Sequence, residues 1–321
     1  MSFVIFSCSS VEISSRWAKS LMSIAITRSH FPVSDYDLAS TLNSGQAFRW
    51  LRSDDGWEGM IGQRWVRLIQ GPKGIQAEAV APVEDWTWLR HYLQADVCIA
   101  DIIATFPDDN PMRASVQACR GMRLLRQDPW ECLASFILSS TKQIVQIRQI
   151  CALLSERFGT VGCAPPGRDW ARTFPSADRI ASCHESDLRE CKMGFRAPHL
   201  LGAAKAVAAG KLDLAGLGEL PIEEARAQLC SLRGVGPKIA DCVLLYAYGF
   251  PTAFPIDVWI AKALKQLYFP KRKPDPRKIR SFADSHFGPH SGYAQQYLFH
   301  YMRTRVGNRD RQKRDAARKA P

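Results

Sequence analysis

Residues 232–242 read LRGVGPKIADC. Gly234 and Gly236 enclose one valine, Pro237 favours a first helical turn, and the apolar run beyond it carries Asp241 and Cys242. The pattern predicts a helix over 222–231, a hairpin of a few residues, and a second helix through PKIADCVLLYAYG at 237–249. Glycine turns expose backbone N–H groups, and a helix start adds more, so the stretch is suited to an anion. In a basic chain that anion is a phosphate. A plain helix–helix turn would use the same glycines, and Lys238 is what separates the two readings.

Lys238 and Cys242 are four residues apart and share a helix face. Nineteen residues beyond the lysine, Asp257 follows Pro255 in FPIDVW at the head of another helix. A helix, a turn and a return can bring this carboxylate back beside the amine. A desolvated lysine can attack a sugar C1′ while a carboxylate stabilises the cationic sugar or relays a proton. For Asp257 alone an N-cap is the simpler role, and the two roles are compatible.

The chain has 321 residues, 46% hydrophobic and 23% charged, enough for two or three domains with their own cores. Of the formal net charge of +12, eight Arg/Lys against two Asp put a surplus of six between Tyr301 and Pro321. Such charge favours nucleic acid and anionic membranes alike and does not choose between them. The ten cysteines stand singly, with no C-x-x-C pair, which argues against a disulfide framework, a zinc finger or an iron–sulfur loop. They are expected to be mostly buried, reduced thiols of a cytoplasmic protein. No stretch of ~18 apolar residues predicts a membrane span. Residues 1–21 lack the basic start and full apolar run of a signal peptide, and are expected to be a disordered or artefactual extension before Met22.

From Phe31 to Val80 bulky and polar residues alternate between DDG, IGQ and GPKG turns, which predicts an antiparallel sheet within a domain spanning 22–111. From Pro82 the period becomes helical, and 112–302 reads as helices joined by Pro/Gly loops. Asp128 and Pro129 suit a helix start, and SSTK (139–142) breaks that tract into two helices. Residues 303–321 are polar and basic, and a disordered tail is expected there.

The order L-x-G-V-G-x-K-x-A-D-C then P-x-D-V resembles the signature of the helix–hairpin–helix (HhH-GPD) DNA glycosylases. SGQAFRW at 44–50 and GYAQQYLFH at 292–300 resemble motifs of their 8-oxoguanine branch, so the resemblance runs from about residue 30 to 300. It implies an α+β chain, a TBP-like antiparallel sheet domain ahead of a mostly helical core in two subdomains, with the active site in their cleft. It also implies a bifunctional glycosylase and abasic-site lyase of base excision repair. The implied partner is duplex DNA containing oxidised guanine, with no cofactor, no membrane and a monomeric chain, in a bacterial cytoplasm or nucleoid or a eukaryotic nucleus.

Residue by residue, the resemblance makes Lys238 the nucleophile that forms a Schiff base before β-elimination, and Asp257 its supporting carboxylate. The base leaves the stack to be reached. Gly45 would accept from the N7–H that guanine lacks, Gln295 would read the Watson–Crick edge, and Phe299 and Cys242 would pack on the two base faces. Without the resemblance, Phe299 in the core and Gln295 at the surface would be the plain expectation. Gly234, Val235 and Gly236 would meet a phosphate, and Phe195 and Arg196 would contact DNA near the orphaned base. The carbonyls of Cys230, Leu232 and Val235 would be the place for an ion.

Where some relatives carry an Asn-rich triplet and then an arginine, this chain has Thr141, Lys142 and Gln143, then Gln146. With less charge there, cytosine opposite the lesion is expected to be preferred less strictly. Lys142 could touch phosphate or be a solvated helix lysine, and Trp259 stands where some relatives have histidine. Two alternatives remain: a related glycosylase for another damaged base, and a non-catalytic helix–hairpin–helix module that only grips phosphate.

Overall fold

The computed structural model describes residues 25–139, 142–270 and 275–306. Five strands form one antiparallel sheet: β1 (Ile26–Phe31), β2 (Trp50–Arg52), β3 (Trp57–Ile61), β4 (Arg64–Gly71) and β5 (Gly74–Val80), in the order β1-β5-β4-β3-β2. The sheet thus begins upstream of Phe31, with Ile26 paired to Val80 and Phe31 to Ile75. Alternation turns Ile75, Ala77 and Ala79 of β5 inward with Val66 and Leu68 of β4. Helices α1 (Leu38–Asn43) and α2 (Thr87–Leu93) supply Leu38, Leu42, Leu89 and Leu93 to the same core.

Next come α3 (Ile99–Ile103), α4 (Asn110–Cys119), α5 (Pro129–Leu138), α6 (Ile144–Phe158), α7 (Ala177–Ala181) and α8 (Glu185–Leu188). A π turn and a 3-10 turn then lead through Gly194–Arg196 into α9 (Ala197–Ala208). The chain continues through α10 (Ile222–Cys230), α11 (Pro237–Val243), α12 (Val258–Leu267), α13 (Pro276–His286) and α14 (Ser291–Tyr301). Asp128 accepts from Glu131 N–H at 2.8 Å to open α5, and the break between α5 and α6 falls at the SSTK stretch. The expected sheet domain followed by a helical core is the architecture observed.

Three details differ from expectation. The 111/112 boundary falls inside α4, which packs on α14 and so belongs with the helical core. The helix after Lys238 does not stay α-helical to 249, but widens into a π turn over Leu244–Tyr248. The last helix continues through Met302–Val306, into the stretch expected to be tail, because Met302 is fully buried and Arg303 reaches back to Asn43. The extension at 1–21, Thr141 and the tail from 307 lie outside the described residues.

Among the described residues no helix is long and apolar enough to cross a membrane. The nine described cysteines are free thiols. Five of them are buried, while Cys98 and Cys163 are exposed because they stand at the edge of α3 and in a surface loop.

Candidate active site

Gly236 precedes α11 in extended backbone, and Pro237 takes the first turn, where its missing N–H costs no helical bond. One residue on, Lys238 is half-buried. Its Nζ donates to Ser139 Oγ at the end of α5 at 2.8 Å, and lies 5.4 Å from the Phe136 ring centre. Phe136 is stacked on Tyr246, with centroids 5.4 Å apart, and meets Phe48 edge to face. The amine therefore stands over an aromatic floor, and among the described residues it forms no ion pair.

Asp257 opens α12, accepting from Ile260 N–H at 2.8 Å. Burial raises its pKa, opposed by the Ile260 N–H and then by the charge of Lys238. The carboxylate and amine are thus within each other's field, but the expected side-by-side pair is not a direct one. One Asp257 oxygen is committed to its helix start, and the amine is committed to Ser139.

Cys242, one turn beyond Lys238, is buried, and burial pushes its thiol up to about 12 against the pull of Lys238. A neutral thiol is a poor nucleophile, so Cys242 offers this face a packing surface and not an attacking group. Lys238 also lines a cleft of about 900 Å³ with Ile256, Arg277 and Arg280. None of the residues expected to read a base lines it: Gly45, Gln295 and Phe299 stand at α14 and the loop after α1, and Cys242 on α11.

Gly45 has φ +87°, which few side-chain-bearing residues adopt. A Cβ there would stand 2.6 Å from Ile144 Cδ1 and 3.5 Å from Phe299 Cε1, so Ile144 and Phe299 pack directly over this glycine. Gln295 is only 3% exposed, and its Oε1 is buried without a hydrogen-bond partner. Phe299 is half-buried. Against the plain arrangement, Gln295 is the more deeply buried of the two, while Phe299 is packed at the edge of the core. A buried amide oxygen with no partner costs about 1–3 kcal/mol, an expense that a ligand donor would remove.

Two neighbours in the same motifs went unnoticed in the sequence. Gln46 is fully buried: its Nε2 donates to Thr41 O, Ser44 Oγ and Arg123 O at 2.8–3.0 Å, and its Oε1 accepts from Leu125 N–H at 2.8 Å. Gln296 accepts from Tyr246 Oη at 2.6 Å and reaches Ser44 O at 3.4 Å, joining α14, the turn after α11 and the Gly45 loop. Their signal was glutamine inside an otherwise apolar motif, which only burial distinguishes from a surface residue.

The hairpin corrects one expectation. Val235 N–H donates to Leu232 O at 3.0 Å and closes the turn, and its side chain is buried. Val235 therefore has no N–H to offer an anion; the N–H groups of Gly234 and Gly236 and the first-turn N–H of Lys238 are what remain. Gly234, at φ +88°, has no room for a side chain, since a Cβ would lie 2.4 Å from Nδ1 of His199 on α9. The carbonyls of Cys230, Leu232 and Val235 are three neutral oxygens, one already shared with Val235 N–H. That is too few ligands, and no charge, to hold a hard cation unaided.

Phe195 is 56% exposed after Gly194, and the Arg196 guanidinium lies 4.7 Å from its ring centre, so the pair projects together. Lys142 is half-buried just before α6. Gln146 bends back, its Oε1 accepting from Gln143 N–H at 3.0 Å to cap the start of its own helix. Trp259 is half-buried with the Lys262 ammonium 5.6 Å from its ring.

Comparison with known proteins places the chain among relatives. Residues 28–133 match the family model described as 8-oxoguanine DNA glycosylase, N-terminal domain, and residues 134–288 match that of the HhH-GPD superfamily base excision DNA repair proteins. The chain is 30% identical over 314 residues to a probable N-glycosylase/DNA lyase of Methanothermobacter thermautotrophicus, covering 87% of this chain and 97% of that protein. It is 30% identical over 279 residues to the N-glycosylase/DNA lyase OGG1 of Arabidopsis thaliana, covering 82% and 76%. The 8-oxoguanine glycosylase/lyase of Clostridium acetobutylicum, solved with duplex DNA carrying cytosine opposite 8-oxoguanine, superposes with a TM-score of 0.78 at 30% identity, covering 88% of this chain and 99% of that one.

Proposed function

The chain belongs to the HhH-GPD superfamily of base excision DNA repair proteins, in the branch with an 8-oxoguanine DNA glycosylase N-terminal domain, and on that membership we propose that it excises 8-oxoguanine from duplex DNA and cleaves the strand at the resulting abasic site. The observation that carries the reading is the Lys238 amine, presented at a helix start over an aromatic floor, in the field of a half-buried carboxyl and held only by a neutral hydroxyl. Nζ forms a bond to C1′ as the C1′–N9 bond breaks and the base departs with its electron pair. Asp257 stabilises the positive charge on the sugar. Opening of the C1′–O4′ bond, with a proton passing to O4′, gives the Schiff base, and removal of a C2′ proton expels the 3′ phosphate.

The Gly45 carbonyl accepts from N7–H of the oxidised base, while guanine would leave that acceptor unpaired, worth about 1–3 kcal/mol of discrimination. Gln295 supplies the amide for the Watson–Crick edge, and Cys242 and Phe299 enclose the ring faces. Duplex DNA is gripped at the hairpin and by the Phe195–Arg196 pair. Gln146, occupied in capping α6, leaves the opposite base less strictly read, and this supports a relaxed preference.

Borohydride trapping on 8-oxoguanine duplexes tests the reading. A covalent adduct is expected with the wild-type chain and none with Lys238→Gln; binding without any adduct would instead support a module that only grips DNA. In the same assay, excision rates opposite C, T, G and A should lie within about tenfold of each other, corresponding to about 1.4 kcal/mol. A preference for C of several orders of magnitude defeats the relaxed-partner reading.

A further inference from the structure

The loop that carries Gly45 is held from two sides. Gln46 ties its inner side to the core. On its outer side two arginines converge on Asn43, the last residue of α1. Arg148 of α6 donates to Asn43 Oδ1 at 2.8 Å, and Arg303, on the continuation of α14, donates to the Asn43 carbonyl. The Arg303 guanidinium carbon also lies 5.7 Å from the Phe299 ring centre. Ile144, one turn ahead of Arg148, is the side chain against Gly45.

A cation at the end of a helix satisfies carbonyls that lack intrahelical partners, and one arginine would suffice for that. Two are more than a cap requires. Neither has a carboxylate partner among the described residues, and each keeps a buried Nε without a partner. Burial lowers the pKa of both, Arg303 to about 10 with the charge of Arg148 adding to the effect. Like charges are therefore held close at some cost, at a point where the α1 loop, α6 and α14 meet.

We propose that Arg148 and Arg303, acting through Asn43, are positioning residues that hold the Gly45 carbonyl, Ile144 and the Phe299 ring in one register for base recognition. The proposal rests on the 8-oxoguanine reading above. No hydrogen bond joins either guanidinium to Lys238 or Asp257, so the clamp acts on reading the base and not on the amine.

A preformed abasic site separates these functions, since strand cleavage there needs Lys238 but no base reading. Under single-turnover conditions, Arg303→Met, Arg148→Met and Asn43→Ala should each slow 8-oxoguanine excision about tenfold or more, while cleavage of the abasic duplex stays within about twofold. Arg303→Lys should restore most of the loss, because an ammonium can still donate to the Asn43 carbonyl over the ring. Adding Arg148→Met to Asn43→Ala should cost nothing further, as both remove one contact. Equal losses on both substrates, or full excision by the variants, overturn the proposal. If Arg303→Met does not fold, Asn43→Ala, a change at an exposed residue that keeps the backbone carbonyl, decides for the Arg148 contact, and Arg303→Gln decides for the carbonyl contact. A wild-type chain that leaves 8-oxoguanine in place refutes the parent reading instead, so the two failures are distinct.

Discussion

The Asp257 carboxyl caps α12 through Ile260 N–H, and its burial makes ionisation costly. Its pKa is raised in the folded chain, so the native state binds a proton more readily than the unfolded one. Stability is therefore undiminished below the ordinary value of about 3.9 and falls as pH rises through the raised value. Asparagine caps a helix as well as aspartate and carries no charge. Asp257→Asn is thus expected to match or exceed the wild-type Tm at pH 7, with any advantage vanishing near pH 4, while excision falls on the order of 100-fold or more. Calorimetry at the two pH values, beside single-turnover rates, checks this; a Tm that drops at pH 7 along with activity would show that the carboxylate is structural. That Asp257 would cap a helix was legible in FPIDVW, because caps are set by neighbours three residues away. That its oxygen would be spent there, leaving Lys238 to Ser139 across 99 positions of sequence, was not.

At the scale of elements, α11 is fixed by a charge buried beneath the lysine. Asp241 is wholly buried, accepting from Arg226 Nε of α10 at 2.7 Å and from Arg280 of α13. Removing the buried carboxylate is costly because Arg226 then keeps only Glu223, and Arg280 only Asp284, both far more exposed partners. Asp241→Ala should lower stability by about 3–5 kcal/mol in urea unfolding, whereas Lys238→Gln, half-exposed and outside any ion pair, should stay within about 0.5 kcal/mol. A loss under about 1 kcal/mol for Asp241→Ala would mean that the two arginines do not anchor α11. The aspartate stands in plain view in the ADC motif. Its arginines, 15 and 39 positions away, bear no local mark that separates them from the many surface arginines of this chain.

Across the whole molecule, the sheet domain and helical core meet in polar contacts as well as apolar ones. Arg49 pairs with Glu131 of α5 at 3.0 Å, and Gln127 donates to the Gln46 carbonyl at 2.8 Å. The base-reading loop is thus part of the joint between the two. Charge is distributed differently: of the surplus of twelve, a net four lies beyond Val306, in six Arg/Lys and two Asp. Ending the chain after Val306 should weaken binding to undamaged duplex and make it less sensitive to salt, by about 0.9 in the log–log slope for each phosphate that the tail neutralises. Single-turnover excision at saturating enzyme should not change. Binding isotherms at several salt concentrations test this, and an unaltered slope would place the phosphate contacts elsewhere.

Local order was determined by the sequence alone. Asp128 and Pro129, Gly236 and Pro237, and Asp257 begin their helices where the residues require it, and alternation of bulky and polar residues makes the strands of the sheet. These outcomes depend on neighbours within about four positions, through dihedral limits, caps and periodicity. Tertiary structure decided which polar groups are buried and what they meet: Gln295 inside with an unpartnered oxygen, Val235 N–H spent on its own turn, and Asn43 held by arginines 105 and 260 residues away. Such pairings follow from how whole helices and a sheet pack, and the desolvation that gives them their energy does not exist until the core has formed.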